Sequence, residues 1–151
     1  MEKDLKELLL KDLCGRLPYG IKGNFLNSDG SLSNDPLLRK VSITYNCLVT
    51  ADGNEGMVLN GDLKPYLFPL SSMTEEQAEE LFRIFGLECP STEEDYIKIN
   101  EVTGITFFLN SGFDVETHLD KLIDWLNKNH FDYRGLIPKG LALDATDLNI
   151  Y

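Results

Sequence analysis

The residues best suited to chemistry stand together at His130-Phe131-Asp132-Tyr133-Arg134-Gly135. In an extended backbone His130, Asp132 and Arg134 share one parity, and Phe131 and Tyr133 the other. An imidazole, a carboxylate and a guanidinium within reach of one another are the elements of an anion-binding or acid–base site. The same residues also suit a structural role, with the aromatics docked on the core, Asp132 paired with Arg134 and the group closing a helix C-terminus. Polar clusters at element ends are usually structural, so this second reading takes precedence. His130, Asp132, Tyr133 and Arg134 remain the candidate ligand- or partner-binding residues, and no catalytic residue is assigned.

What must position them is the preceding amphipathic helix. Asp114 is a good N-cap, Val115, Leu119, Leu122, Ile123 and Leu126 line an inner face, and Trp125 falls at its edge. His118 falls beside that stripe, where a satisfied core-edge histidine is commoner than a ligand. Glu116, Asp120 and Asp124 recur one turn apart on the outer face, where like charges cost a little stability. A second acidic face is predicted on a helix opened by a Thr74/Gln77 capping box, with Ala78, Leu81, Phe82 and Phe85 inward and Gly86 as the stop. Its exposed side carries Glu75, Glu76, Glu79 and Glu80 near the positive end of the helix dipole. Glu75, Glu76, Glu79, Glu80, Glu116, Asp120 and Asp124 form the candidate acidic surface, for which a simply solvated face is the plainer explanation.

Upstream, Leu5, Leu8, Leu9 and Leu13 predict a helix over Glu2 to Cys14, stopped by Gly15 and Pro18. Strands are predicted at Tyr19–Leu26, at Val41–Val49 as the best alternating run, and around Met57–Leu59. Turn residues join them at Asn27-Ser28-Asp29-Gly30-Ser31 and Asp52-Gly53-Asn54. Neither turn fits a calcium loop, because Leu32 and Met57 occupy the position that needs glycine. Leu63 to Leu70 is extended and apolar, with Pro65 and Pro69 arguing against a central strand. Tyr96–Ile99 and Gly104–Leu109 predict two more strands, the second apolar on both parities and so placed centrally. Residues 141–151 read as a surface tail.

Composition narrows the function classes. The chain of 151 residues is 42% hydrophobic and 26% charged, the balance of a globular protein expected to form one domain over residues 1–151. The longest apolar runs suit strands rather than membrane spans. The mixed-charge start is unlike a signal peptide, and Cys14, Cys47 and Cys89 read as free, mostly buried thiols, so the cytoplasm is the expected compartment. Residues 1–73 hold nine acids and eight Lys/Arg; residues 74–151 hold sixteen and six, so the second part carries −10 of the net −11. Without a basic footprint, direct nucleic-acid binding is not expected. Gly135 to Gly140 fails as a phosphate loop, because Lys139 precedes the second glycine and Leu141 follows it. HExxH, paired CxxC, GxSxG and GxGxxG motifs are absent, and no metal or cofactor is expected.

The segments DLCGRLPYG (Asp12–Gly20), LKPYLFPLSSMTEE (Leu63–Glu76) and DWLNKNHFDYRGLIPKGLAL (Asp124–Leu143) resemble the recurring blocks of an uncharacterised protein family of anaerobic gut bacteria, their prophages and mobile elements. The blocks span most of the chain, and the third is the most specific. The resemblance implies a genomic setting, that of an accessory protein, and no activity. A basic residue is common in the family where Phe68 stands here, which weakens any charged site beside Pro69.

The expected architecture is α+β: a single antiparallel sheet of about five strands, with three helices mainly on one face. The expected function is non-enzymatic binding or regulation of an unidentified protein partner. Two sharper versions follow from the residues. In one, the acidic part mimics nucleic acid and inhibits a DNA- or RNA-binding protein. In the other, a small enzyme or ligand-binding module uses the residues from His130 to Arg134.

Overall fold

A computed structural model describes residues 3–33, 39–44, 47–50, 55–56, 63–84, 96–100, 104–108 and 119–151. The chain divides into two compact units, Met1–Leu67 with Leu136–Tyr151, and Phe68–Gly135. The second is therefore inserted between the two parts of the first.

In the first unit, helix α1 (Lys3–Arg16) buries Leu9 and Leu13, with Leu5 and Leu8 packed partly against the same core. Gly15 does not stop it. The helix runs on to Arg16, and Leu17–Tyr19 tighten into a 3-10 turn around Pro18, which Gly20 ends at φ 73°. Asp12 and Arg16 fall within the apolar stripe and are fully buried. The Arg16 guanidinium grips Asp12 through both carboxylate oxygens, at 2.6 and 2.9 Å. Cys14 is exposed, against the expectation of buried thiols.

The sheet of this unit is centred on β1 (Lys22–Phe25), antiparallel to both β2 (Arg39–Thr44) and β5 (Leu63–Leu67). β3 (Cys47–Thr50) and β4 (Glu55–Gly56) continue it beyond β2, and β8 (Leu143–Asp144) lies beside β5 in parallel. The order is β4-β3-β2-β1-β5-β8. The predicted turn over Asn27–Ser31 forms, with the Asn27 N–H donating to the Ser31 carbonyl at 2.8 Å.

In the second unit, α2 (Glu75–Ile84) and α3 (Leu119–Lys128) accompany a separate two-stranded sheet, β6 (Tyr96–Asn100) with β7 (Gly104–Phe108). Its core is Leu70, Leu81, Leu122, Trp125, Leu126 and Phe131.

The expected single antiparallel sheet of about five strands is therefore incorrect. Among the described residues the strands belong to two sheets, and the larger is mixed. Hairpin turns announce antiparallel neighbours, whereas the parallel β5/β8 pairing joins segments separated by the whole second unit. Nor do the three helices share one sheet: α1 belongs to the first unit, α2 and α3 to the second.

Four finer expectations also change. The run Val41–Val49 is not one strand, because Thr44 pairs with Cys47 across a reversal of the chain. Alternation alone does not reveal such a break. Pro65 is buried inside a strand with two neighbours; β1 lies beside it through Gly23, and β8 takes up pairing only from Tyr66. The missing N–H thus falls where only one ladder is present. Among the described residues β7 pairs with β6 alone and is not central, since an apolar run reports a demand for burial and not a number of neighbouring strands. Residues 141–151 are no loose tail: Leu141, Ala142, Ala145 and Ile150 are buried. The Tyr151 hydroxyl accepts from the Lys22 N–H at 3.1 Å and donates to the Tyr66 carbonyl at 2.9 Å, bridging β1 and β5. Lys22 Nζ also donates to the Ile150 carbonyl. The predicted strand at 57–59, the turn at 52–54, the helix stop at Gly86, the N-cap Asp114 and His118 lie outside the described residues.

Candidate functional site

The segment from His130 to Arg134 begins as the end of α3. The helix turns Leu122, Trp125 and Leu126 inward; Leu119, expected inside, is 53% exposed, and Trp125, expected at the edge, is 5% exposed. At its C-terminus the His130 N–H donates to the Asn127 carbonyl (3.2 Å) and the Phe131 N–H to that of Leu126 (3.0 Å). His130 adopts φ 58°, the one non-glycine residue with positive φ among those described. This is a Schellman stop, in which a left-handed residue lets two successive N–H groups turn back onto the last free carbonyls. The motif's accompanying apolar contact is also present. The Phe131 ring stacks on Trp125 with centroids 5.6 Å apart and planes 15° apart. Asn129 adds a side-chain bond from Nδ2 to the Trp125 carbonyl at 3.0 Å.

The next residues are fastened to Phe68, the first residue of the second unit. Its N–H donates to the His130 carbonyl at 3.0 Å, and its carbonyl accepts from the Asp132 N–H at 2.7 Å. These two bonds make a single parallel bridge between Phe68 and Phe131, whose rings lie 6.4 Å apart at 57°. Phe68 holds the segment through its backbone and its ring, roles that need no charge.

Of the four candidate residues, His130 and Asp132 are buried, and Tyr133 and Arg134 are half-buried. The Tyr133 hydroxyl donates to Asn127 Oδ1 at 3.0 Å, and the Arg134 guanidinium lies 4.9 Å from the Tyr133 ring centre. The parity argument for a shared His130/Asp132/Arg134 face does not apply, because a left-handed residue interrupts the extended backbone it assumes. The described backbone contacts of His130, Phe131 and Asp132 serve helix termination and the bridge to Phe68.

The acidic surface is partly described. Glu75, Glu76 and Glu80 are exposed on α2, and Glu79 is half-buried with Arg83 at 3.5 Å. The expected capping box forms in full, the Thr74 N–H donating to Gln77 Oε1 (2.9 Å) and the Gln77 N–H to Thr74 Oγ1 (3.2 Å). Asp120 and Asp124 are exposed on α3, where Lys121 and Lys128 are exposed as well. Glu116 lies outside the described residues. The unit Phe68–Gly135 holds fourteen acids against five Lys/Arg, so it carries −9 of the chain's −11.

Sequence reasoning passed over the buried Asp12–Arg16 pair, Asn127 and Tyr151. The first was detectable, since an acid and a base one turn apart fall between the leucines on the helical wheel. Tyr151 has no local signal. Its partners are 129 and 85 residues away in the chain. Burial pushes its hydroxyl up from 10.0 to about 12. Among the described residues, no group of three or more His, Cys, Asp or Glu is placed to hold a metal ion, and no helix is long and apolar enough to cross a membrane. Comparison of the chain with protein-family models, with curated proteins and with solved structures gives no match.

Proposed function

We propose that this chain is a non-enzymatic binding or regulatory protein, of the accessory kind carried by phages and mobile elements, whose second unit docks on a basic macromolecular partner. The observation that carries this reading is the −9 concentrated in Phe68–Gly135, against −2 for the rest of the chain. Charge confined to one unit produces a directional field, which raises encounter rates with a positive surface and disfavours negative ones. Among the described residues, Glu75, Glu76 and Glu80 are exposed acids close together in the first two turns of α2. On α3 the exposed Lys121 and Lys128 offset Asp120 and Asp124. That favours a local acidic docking surface on α2 over a broad imitation of nucleic acid across both helices. For the run from His130 to Arg134, the helix stop and the bridge to Phe68 support a structural role ahead of an enzymatic one.

The test is affinity capture from host extract at low and high salt, with wild type and the triple variant Glu75→Gln/Glu76→Gln/Glu80→Gln. The expected result is a partner with a basic surface, retained by wild type at low salt, released as salt rises and lost by the variant. A partner held equally by both proteins and insensitive to salt would overturn the reading.

A further inference from the structure

The pairs between β1 and β5 run from Phe25 opposite Leu63 to Gly23 opposite Pro65, so the next position in register sets Lys22 opposite Tyr66. The Tyr151 hydroxyl stands at that position. It accepts from the Lys22 N–H at 3.1 Å and donates to the Tyr66 carbonyl at 2.9 Å, the two groups that a direct antiparallel rung would join. A hydroxyl inserted between them holds them farther apart than a direct bond does. The phenol is carried by a lightly held segment. Thr146, Asp147, Leu148 and Asn149 are exposed, and the segment's buried side chain is Ile150. The Ile150 carbonyl accepts from Lys22 Nζ, and the same ammonium lies 5.5 Å from the centre of the Tyr151 ring. Ile150 and Tyr151 thus share Lys22 as an anchor. The near end of the segment is fixed separately. The Ala145 N–H donates to the Leu67 carbonyl at 2.9 Å, and Asp144 Oδ1 accepts from the Thr146 N–H at 2.9 Å and its hydroxyl at 2.6 Å.

We propose that residues 146–151 are a releasable strap, and that docking of Tyr151 and closure of the Lys22–Tyr66 rung are mutually exclusive states of the sheet. A stretch of exposed backbone, ordered at an entropic cost and anchored at its far end through one shared lysine, opens as a unit before the fold does. Opening takes no pair from the ladder, which reaches Gly23 and Pro65 with the strap in place. It also leaves no backbone group stranded. Once the hydroxyl withdraws, the Lys22 N–H bonds the Tyr66 carbonyl directly, and that replacement lowers the cost of release. The end of the sheet therefore has two arrangements, and whatever captures Ile150 or Tyr151 also zips β1 onto β5 by one rung.

The experiment is amide exchange by NMR on the full chain, resolved by residue, in wild type and Tyr151→Ala. The Leu148 and Ile150 amides report the strap; Ala145, bonded to Leu67, and Leu13 in α1 report the fold. In wild type the strap amides should exchange roughly tenfold or more faster than the two references. In Tyr151→Ala they should lose their protection while Ala145 and Leu13 keep theirs. Lys22 is the discriminating amide. It should stay protected in Tyr151→Ala, and a coupling across the hydrogen bond from its nitrogen to the Tyr66 carbonyl carbon, absent from wild type, should appear. Strap amides that exchange only together with the references in both proteins would overturn the releasable strap. Loss of protection at Ala145 and Leu13 in Tyr151→Ala would do the same, by making the segment an integral part of the fold. Loss of Lys22 protection in that variant without the coupling would overturn the exclusive rung.

Discussion

Replacing His130 by alanine and by glycine separates the backbone's contribution from that of the side chain. Both variants lose the imidazole, so their difference reports the left-handed conformation at φ 58°. An L-residue with a Cβ pays about 1–2 kcal/mol there, which glycine does not. Glycine loses about 0.5–1 kcal/mol more than alanine through the freedom of its unfolded chain. The balance leaves His130→Gly more stable than His130→Ala by about 0.5–1 kcal/mol, or roughly 1–4 °C in Tm for a chain of this size. At Asp124, exposed in the middle of α3, the order must reverse, with alanine ahead of glycine by about 1 kcal/mol. Urea denaturation followed by fluorescence is the assay. The only tryptophan, Trp125, is buried against Phe131 and reports on the second unit. Alanine equal to or better than glycine at position 130 would refute the Schellman stop and the structural reading of the segment.

Other perturbations address the first unit. Asp12→Ala leaves the buried Arg16 without its bidentate carboxylate and should cost about 3–5 kcal/mol in denaturant unfolding, whereas replacing both residues by leucine and methionine should recover much of that. A loss no larger than an ordinary surface change would mean that the pair is hydrated. Gly23→Ala places a Cβ 2.8 Å from the Lys64 carbonyl oxygen and forces β1 and β5 apart, an expected loss of about 1–3 kcal/mol by the same assay. Tyr151→Phe removes the bridge between Lys22 and Tyr66 and should cost about 1–2 kcal/mol at neutral pH. Because the hydroxyl is raised from 10.0 to about 12, the folded state favours its neutral form. Its contribution is full below pH 10 and lost as pH rises through about 12, so melting curves of wild type and variant should converge across that window.

Features set by neighbouring residues were the legible ones. The Thr74/Gln77 box, the Asn27–Ser31 turn and the β6/β7 hairpin each rest on contacts within a few residues, and each forms. The features that misled depend on distant chain. Pro65 argues against an interior strand until β8 is known to begin its pairing at Tyr66. Tyr151 is an exposed residue, as its sequence context suggests, but nothing local announces that its hydroxyl bridges Lys22 and Tyr66. His130 was singled out for its imidazole, yet its most distinctive property is a backbone angle usually given to glycine, and residue type conceals it. The acidic half, by contrast, was visible in composition. The structure moves its boundaries to Phe68 and Gly135, where the chain enters and leaves the second unit.

Location, not total charge, is what the proposed function depends on, and two variants of equal net charge isolate it. One carries Glu75→Gln, Glu76→Gln and Glu80→Gln in the second unit; the other carries Asp4→Asn, Glu7→Gln and Asp147→Asn at exposed positions of the first. The measurement is the dissociation constant for the captured partner as a function of salt. Binding should weaken roughly tenfold, with a flatter salt dependence, only in the first variant. Equal weakening in both variants, or none in either, would contradict an acidic docking surface in the second unit.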